Sequence, residues 1–285
     1  MGVGPYGALL DAVRGVRWPA RRAVAGGAPG SHRARTRGVA PEFAEYRPYR
    51  QGDDPRRLDW KLLGRSDKAF IRLAPDHAIL GTTFIVDASA SMAYEGKWET
   101  TKRLVIALAA VAHASADPVG LLVAAAQGVR RLAPRARAGV VADVARVLDE
   151  IAPSENAPLA PLVAQSASRC VVLTDCLGDA DELRAALARH WAKGGEAHLL
   201  HIVARRELEP TPAAMMAIDP EDTALERPLV ATSHAGYVER FAAWRAEIAS
   251  AARRAGIAYQ EIVDDQPVEA TVRRIVAPTA AERPR

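Results

Sequence analysis

Short apolar runs alternate with longer amphipathic stretches from about residue 79 onwards. The runs predict strands and the stretches predict helices. Such an alternation is typical of a mainly parallel sheet with helices on both faces and right-handed crossovers. We therefore expect an α/β fold with a doubly wound sheet, preceded by a small irregular or β segment. The predicted strands are 79–86, 119–124, 170–173, 198–203 and 258–263, and the predicted helices are 98–115, 140–151, 179–191 and 237–255.

Composition shifts divide the chain into four regions. We expect a basic arm and linker at 1–30, a segment at 31–78 that packs on the main domain, the α/β domain at 79–277 and a disordered tail at 278–285. The segment has candidate strands at 43–46 and 69–73 but is too short and too charged to fold alone. We expect Trp60 to be its buried anchor in the main domain.

The N-terminal region is basic, because residues 1–40 contain seven arginines and one acidic residue, Asp11, in a chain whose net charge is +4. Such a region can bind nucleic acid, an anionic membrane surface or an acidic protein. No recognisable nucleic-acid-binding module follows it. We expect a flexible arm that docks on an acidic partner or on the acidic surface of the chain itself, and no nucleic acid as partner.

Cysteine spacing and hydropathy limit the cellular compartments in which we expect the protein. Cys170 and Cys176 match no zinc or redox pair, so we expect buried free thiols. No apolar run approaches the roughly 18 residues that a membrane span requires, and no signal-peptide core begins the sequence. The sequence therefore predicts a cytoplasmic protein without a membrane span.

Hard oxygen donors follow two of the predicted strands. Asp87, Ser89 and Ser91 alternate with alanines after the apolar run 82–86, and Asp175 follows the run 171–174. Ligands bind at the carboxyl ends of parallel strands, and carboxylate and hydroxyl oxygens suit Mg²⁺ or Mn²⁺. Two alternatives remain open: Ser89 or Ser91 could cap the next helix, and Asp175 could cap the helix beginning near Asp179.

An Asp-x-Ser-x-Ser sequence at the end of the first strand resembles the metal-ion-dependent adhesion site (MIDAS) of von Willebrand factor type A domains. A second series of residues, upstream of it, is similar to the signature of the bacterial "domain of unknown function 58" (DUF58) family. The similarity covers residues from about 30 to about 276. The series consists of Arg37-Gly38, Glu42-Phe43, Glu45-Tyr46-Arg47, Tyr49, Gly52-Asp53-Asp54, Arg56, Leu58-Asp59-Trp60 and Arg65.

These resemblances imply a von Willebrand factor type A-like fold and a site for Mg²⁺ or Mn²⁺ whose ligands are Asp87, Ser89, Ser91 and Asp175. They also imply that a partner carboxylate completes the metal shell. The threonine that the resemblance places in the second loop is replaced by Ala157, so Ser154, Asn156 or water would have to supply that oxygen. The DUF58 resemblance further implies a partner, an AAA+ ATPase of the MoxR type, in assembly or maturation of other proteins.

Enzyme motifs match the sequence poorly, so we expect an interaction module rather than an enzyme. Gly96-Lys97 looks like the end of a phosphate-binding loop, but the first glycine of that loop would be Ser91. His198 and His201 lie on a predicted core strand, where packing explains them. The alternatives are a metal-dependent hydrolase at Asp87 and Asp175, and binding of an anionic partner through the basic arm.

Overall fold

The structure of the chain is a computed structural model. It describes residues 4–21, 29–33, 45–49, 60–66, 69–73, 77–125, 128–155, 157–210, 215–218, 226–229 and 231–277. The helices of these residues are α1 (Gly7–Ala12), α2 (Trp60–Ser66), α3 (Lys97–Ala114), α4 (Val140–Asp149), α5 (Ala160–Val163), α6 (Ala180–Ala192), α7 (Arg205–Leu208), α8 (Ala231–Arg254) and α9 (Val268–Val276). The strands are β1 (Pro29–Arg33), β2 (Glu45–Pro48), β3 (Phe70–Leu73), β4 (His77–Ala78), β5 (Thr82–Asp87), β6 (Val119–Ala125), β7 (Gly128–Arg135), β8 (Arg169–Thr174), β9 (Glu196–Val203), β10 (Met215–Ile218), β11 (Glu226–Leu229) and β12 (Ala258–Val263).

The chain divides into two compact units. The small unit is Pro19–Leu80, and the large unit joins Met1–Trp18 to Gly81–Arg285. In the small unit, β1 pairs with β4 and β2 pairs with β3, and both pairs are antiparallel. The large unit contains the predicted α/β domain and all four predicted site residues.

The large unit is built on a six-stranded sheet in the order β12-β9-β8-β5-β6-β7. Neighbouring strands are parallel from β12 to β6, and β7 alone pairs antiparallel, with β6. The strand order reverses direction at β5, which is central and buried along its whole length. The prediction of a doubly wound, mainly parallel α/β sheet is therefore confirmed.

Helices cover both faces of this sheet, because successive side chains of each central strand point to opposite sides. Phe84 and Val86 of β5 join the core under α1, α3, α4 and α9, whereas Ile85 joins the core under α5, α6 and α8. Strands buried on both faces have no polar alternation, which is why β5 and β8 appear in the sequence as continuous apolar runs. None of the helices among the described residues is long and apolar enough to cross a membrane.

The predicted strands and helices are present, with boundaries shifted by a few residues. Among the elements that were not predicted are β7, α9 and the short helices α2, α5 and α7. β7 is almost wholly exposed and carries Arg130, Arg131 and Arg135, so it has neither an apolar run nor a buried face that a sequence pattern could reveal. The stretch 210–228 is rich in proline. Its described residues contain an antiparallel pair, β10 with β11. Cys170 and Cys176 are buried free thiols, as predicted.

The N-terminal residues do not form the arm that the sequence predicted. Tyr6, Leu9, Val13 and Trp18 are buried and belong to the core cluster under α3. Arginines on this segment, such as Arg14, point outward while the apolar positions pack inward. The prediction of a flexible arm is wrong for residues 4–18, because the charge of the segment conceals an apolar face.

Trp60, the first residue of α2, is 66% exposed. Its prediction as a buried anchor is therefore wrong. The packing of segment 31–78 on the main domain stays a prediction. The acidic positions of its signature, Gly52-Asp53-Asp54 and Asp59, lie outside the described residues, as do the tail 278–285 and most of the linker at 22–30.

Replacing Trp60 by alanine should change the free energy of unfolding by no more than about 0.5 kcal/mol, because substitutions at exposed positions without a special contact have small effects. Urea unfolding of the two proteins, followed by circular dichroism, measures the difference. A loss of several kcal/mol would show instead that the indole is buried in solution.

Candidate functional site

Strands β5 and β8 are parallel neighbours, so both end at the same edge of the sheet. Asp87 is the last residue of β5, and Asp175 follows Thr174, the last residue of β8. Ser89 and Ser91 lie in the turn after β5. All four predicted ligands are brought to this edge, and all are at most 5% exposed. We call this group, together with Thr174, the strand-end site.

The Asp87 carboxylate is held at both oxygens. Its Oδ1 accepts a hydrogen bond from the Ser89 amide N–H at 2.9 Å, and its Oδ2 accepts one from the Thr174 hydroxyl at 2.6 Å. Burial raises the pKa of Asp87, the Thr174 hydrogen bond opposes this rise, and the charge of Asp175 adds to it. The side chain is thus fixed inside the domain and does not project into solvent.

The capping alternatives for the predicted ligands are wrong. Ser89 precedes a short 3₁₀ turn, Ala90–Ala93, but its side chain makes no capping hydrogen bond, and its hydroxyl lies 3.1 Å from that of Ser91. The residue at the cap position of α3 is Gly96. Helix α6 is capped by Asp179, whose carboxylate accepts a hydrogen bond from the Glu182 amide at 2.8 Å. Asp175 therefore has no capping role.

Lys97 is the principal residue of the site that sequence reasoning missed. Its side chain is fully buried, and its Nζ donates to Asp175 Oδ2 at 2.8 Å and to Glu207 Oε1 at 3.0 Å. Lys97 is the first residue of α3, where the helix dipole disfavours a cation. That misplaced charge was a signal for an acidic partner, although the sequence does not reveal which one.

Both carboxylates around Lys97 are also held by backbone amides. Asp175 Oδ1 accepts from the Leu177 N–H at 3.2 Å, and Glu207 Oε2 accepts from the Ala204 N–H at 2.7 Å. Glu207 lies on α7, which follows β9, so residues after β5, β8 and β9 meet at one ammonium group. This arrangement fixes the three loops relative to one another.

The loop after α4, which contains Ser154, lies beside the loop after β5, which contains Ser89. The Ser154 amide donates to the Ala88 carbonyl at 2.9 Å, and Ser154 forms a parallel bridge with Ser89. Ala157 lines a cavity of about 350 Å³ together with Asp87 and Thr174. Asn156, the other suggested donor, lies outside the described residues. The position where the resemblance implies a threonine therefore opens onto space beside Asp87.

The residues present do not fit a divalent cation while Lys97 keeps its position. Each oxygen of Asp87 and Asp175 already accepts a hydrogen bond, and one of these bonds comes from an ammonium group. Mg²⁺ requires about six oxygen ligands in a near-octahedral shell. Among the residues that the structure describes, no group of three or more His, Cys, Asp or Glu side chains is arranged to hold a metal.

The histidines of β9 pack in the core, as predicted. His198 and His201 are both buried, and the His201 ring stacks edge-on against Trp244 at 5.5 Å between ring centroids. The His201 Nδ1 lies 2.9 Å from the Tyr259 hydroxyl. Burial lowers the pKa of His201 to about 4, so the imidazole is neutral at physiological pH.

The fold and the site define a class of protein: a doubly wound α/β domain with a buried polar site at the carboxyl edge of its sheet. The family described as "Protein of unknown function DUF58" matches residues 45–249. The chain belongs to this family, which confirms the resemblance in the sequence.

Two relatives from mycobacteria are uncharacterised. The chain is 24% identical to "Uncharacterized protein Rv1480" of Mycobacterium tuberculosis and equally to "Uncharacterized protein Mb1516" of Mycobacterium bovis, over 94% of this chain and 89% of each relative. Among solved structures, the chain is similar to BatB of Bacteroides thetaiotaomicron, at 17% identity and a TM-score of 0.45, over 69% of this chain and 97% of BatB. It is also similar to the VWA domain of SpRpn10, at 13% identity and a TM-score of 0.40, over 68% of this chain and 94% of that domain.

Proposed function

We propose that the chain is a protein-interaction module without catalytic activity. In this proposal its partner is an AAA+ ATPase of the MoxR type, which docks on the carboxyl edge of the central sheet. The two proteins act together in the assembly or maturation of other proteins. Membership of the DUF58 family supports the choice of partner, through the association that the resemblance implies.

The observation that carries the docking surface is a pair of exposed apolar side chains beside the strand-end site. Tyr94 is 42% exposed and Leu177 is 51% exposed, and they are two of the four large apolar side chains that stand out as exposed among the described residues. The Tyr94 ring lies 5.8 Å from the Lys97 Nζ, and the Leu177 amide binds Asp175. Both residues thus project from the loops that the buried ion pair holds in place.

Exposed apolar residues on rigidly held loops are typical of recognition surfaces. Loops on a rigid scaffold carry binding residues more often than the elements that they connect. Tyrosine is enriched in interfaces, where a few central residues contribute most of the binding free energy. The surface therefore offers a partner one aromatic and one aliphatic side chain, those of Tyr94 and Leu177. The buried ion pair of Lys97 and Asp175 holds both in place.

The burial of the acidic groups supports a role without catalysis. Asp87 is 5% exposed, at the wall of the cavity beside Ala157, and Asp175 is 3% exposed, so both carboxylates lie largely inside the domain. Both are engaged in hydrogen bonds that a general base would have to break. The hydrolase alternative needs an accessible base and is therefore less well supported than docking.

The double variant Tyr94→Ser/Leu177→Ser should weaken binding of the MoxR-type ATPase by about tenfold or more, because truncating central apolar contacts typically costs more than 1 kcal/mol each. Biolayer interferometry with the purified ATPase measures the Kd. Val129→Ser is the matched control, since it removes an exposed apolar side chain from β7. Circular dichroism verifies that all variants are folded.

The results of these binding measurements distinguish three possible docking surfaces: the edge of the sheet, the signature segment and the basic N-terminal residues. Unchanged binding by the double variant would contradict docking at this edge. Loss of binding in Trp60→Ala would place the interface on the signature segment instead. Loss of binding only at high salt would place it on the basic N-terminal residues, because salt screens exposed charges.

A further inference from the structure

We propose that the Lys97 ammonium is the resident cation between Asp175 of the strand-end site and Glu207, so that this protein holds the edge of its sheet together without a divalent metal. This inference concerns the chain alone. It can therefore fail or hold independently of the docking proposal.

The geometry places Lys97 where a metal ion would lie between two carboxylates. Oxygens of Asp175 and Glu207 lie 2.8 and 3.0 Å from the same nitrogen atom. The second oxygen of each carboxylate is bound to a backbone amide, which fixes the direction of the first. The two acidic groups therefore face a single point, and that point is filled by the lysine.

The cation also has the connectivity of a structural metal. Lys97 begins the helix after β5, Asp175 follows β8 and Glu207 follows β9. Beside Lys97, the Asp264 carboxylate accepts hydrogen bonds from the amides of Gly96 at 3.1 Å and Arg205 at 2.8 Å, which ties the loop after β12 to the same group. The ion pairs of Lys97 thereby join residues after three parallel strands, and backbone hydrogen bonds to Asp264 join the loop after a fourth.

A divalent cation that bound the facing oxygens of Asp175 and Glu207 would have to displace the lysine, because both oxygens accept from its Nζ. Like charges a few ångströms apart repel strongly where water is excluded. The side chain of Lys97 is itself fully buried. We therefore expect wild-type protein to show no binding of Mg²⁺ or Mn²⁺ at millimolar concentration.

Removing the ammonium should convert the site into a metal site. Lys97→Ala leaves two facing carboxylates, and the space of the lost methylene groups admits water ligands. Mn²⁺ accepts carboxylate and water oxygens. The Kd for Mn²⁺ of this variant should be at least about tenfold lower than that of the wild type.

Isothermal titration calorimetry and electron paramagnetic resonance of Mn²⁺, with purified protein and no partner, test this expectation. Lys97→Ala should bind Mn²⁺ and show a melting temperature that rises with Mn²⁺ concentration, because ligands that bind only the native state stabilise it. The double variant Lys97→Ala/Glu207→Gln should bind Mn²⁺ more weakly than Lys97→Ala and show a smaller rise of the melting temperature with Mn²⁺. The control is Lys102→Ala on the same helix, which also removes a lysine from between two carboxylates, those of Glu99 and Asp149, but at the surface.

Two results would overturn the proposal. One is binding of Mn²⁺ by the wild type, and the other is a folded Lys97→Ala variant that gains no affinity. If Lys97→Ala does not fold without metal, the wild-type titration decides, and recovery of the variant by added Mn²⁺ would support the proposal.

Discussion

Replacing Trp18 by alanine should lower the free energy of unfolding by about 3–5 kcal/mol, the usual cost of truncating a buried aromatic residue. The indole is 1% exposed and lies edge-on to His198 at 5.3 Å between ring centroids. The Arg169 guanidinium lies 4.4 Å from the centre of its ring, so the substitution also removes a cation–π contact inside the domain. Trp18 thus attaches the N-terminal segment to the starts of β8 and β9.

Urea unfolding of Trp18→Ala measures this loss, and Trp60→Ala is the matched control. The same change of side chain is made at two tryptophans, one buried and one 66% exposed. Similar losses for both would contradict the assignment of residues 4–18 to the core. A large loss for Trp18→Ala alone would show that residues 4–18 are an integral part of the α/β domain, although residues 1–40 contain seven arginines.

Glu196→Gln should also destabilise the protein strongly, by about 3–5 kcal/mol, because it removes a counter-charge from a buried guanidinium. The Arg169 Nε donates to Glu196 Oε2 at 2.9 Å, and both side chains are almost wholly inaccessible to solvent. Asp181→Asn is the control, since it makes the same acid-to-amide change in an ion pair with Arg184 at the surface. Exposed pairs contribute about 0–1 kcal/mol.

The effect of Glu196→Gln should depend on pH. Burial alone would raise the pKa of Glu196, but the His198 side chain and the Arg169 charge outweigh burial and lower the pKa to about 2. A carboxylate whose pKa is lowered on folding contributes stability above its unfolded pKa of 4.5 and loses it as pH falls through the folded value. The difference in stability between wild type and Glu196→Gln should therefore be full above about pH 5 and shrink towards pH 2.

Denaturant unfolding at a series of pH values checks the direction of this change. A difference that stays constant from pH 6 to about pH 3 would contradict the lowered pKa, because the loss begins as pH falls below the unfolded pKa of 4.5. A difference that disappears already above pH 5 would show that Glu196 is not held as a carboxylate by Arg169.

The sequence predicted the position of Asp87 and Asp175 because one rule of sheet topology determines it. Asp87 and Asp175 each follow an apolar strand, and in a parallel sheet such positions converge at one edge. Lys97 and Glu207 are separated by 110 positions in the chain. Their contact depends on how α3 and the short helix α7 lie over that edge, which no local pattern records.

The errors in the fold prediction arose where charge and exposure hide an element. β7 has three arginines and no buried face, so the periodicity of a half-buried strand is missing. The net charge of the N-terminal segment predicts an arm, although Tyr6, Leu9 and Val13 follow one another at helical spacing and are buried. The large apolar surface of Trp60, in a segment too polar to fold alone, predicts burial, but the side chain is 66% exposed.

The arginines of β7 have a consequence for the behaviour of the protein in solution. β7 is a terminal strand of the six-stranded sheet, and a terminal strand offers unpaired backbone groups to strands of other molecules. Its Arg130 pairs with Glu150 at 3.3 Å, its Arg131 contacts Gln165, and Pro134 interrupts its row of backbone donors. Positive charge and proline on an outer strand are features that oppose edge-to-edge association, so we expect this edge to resist pairing with strands of other molecules.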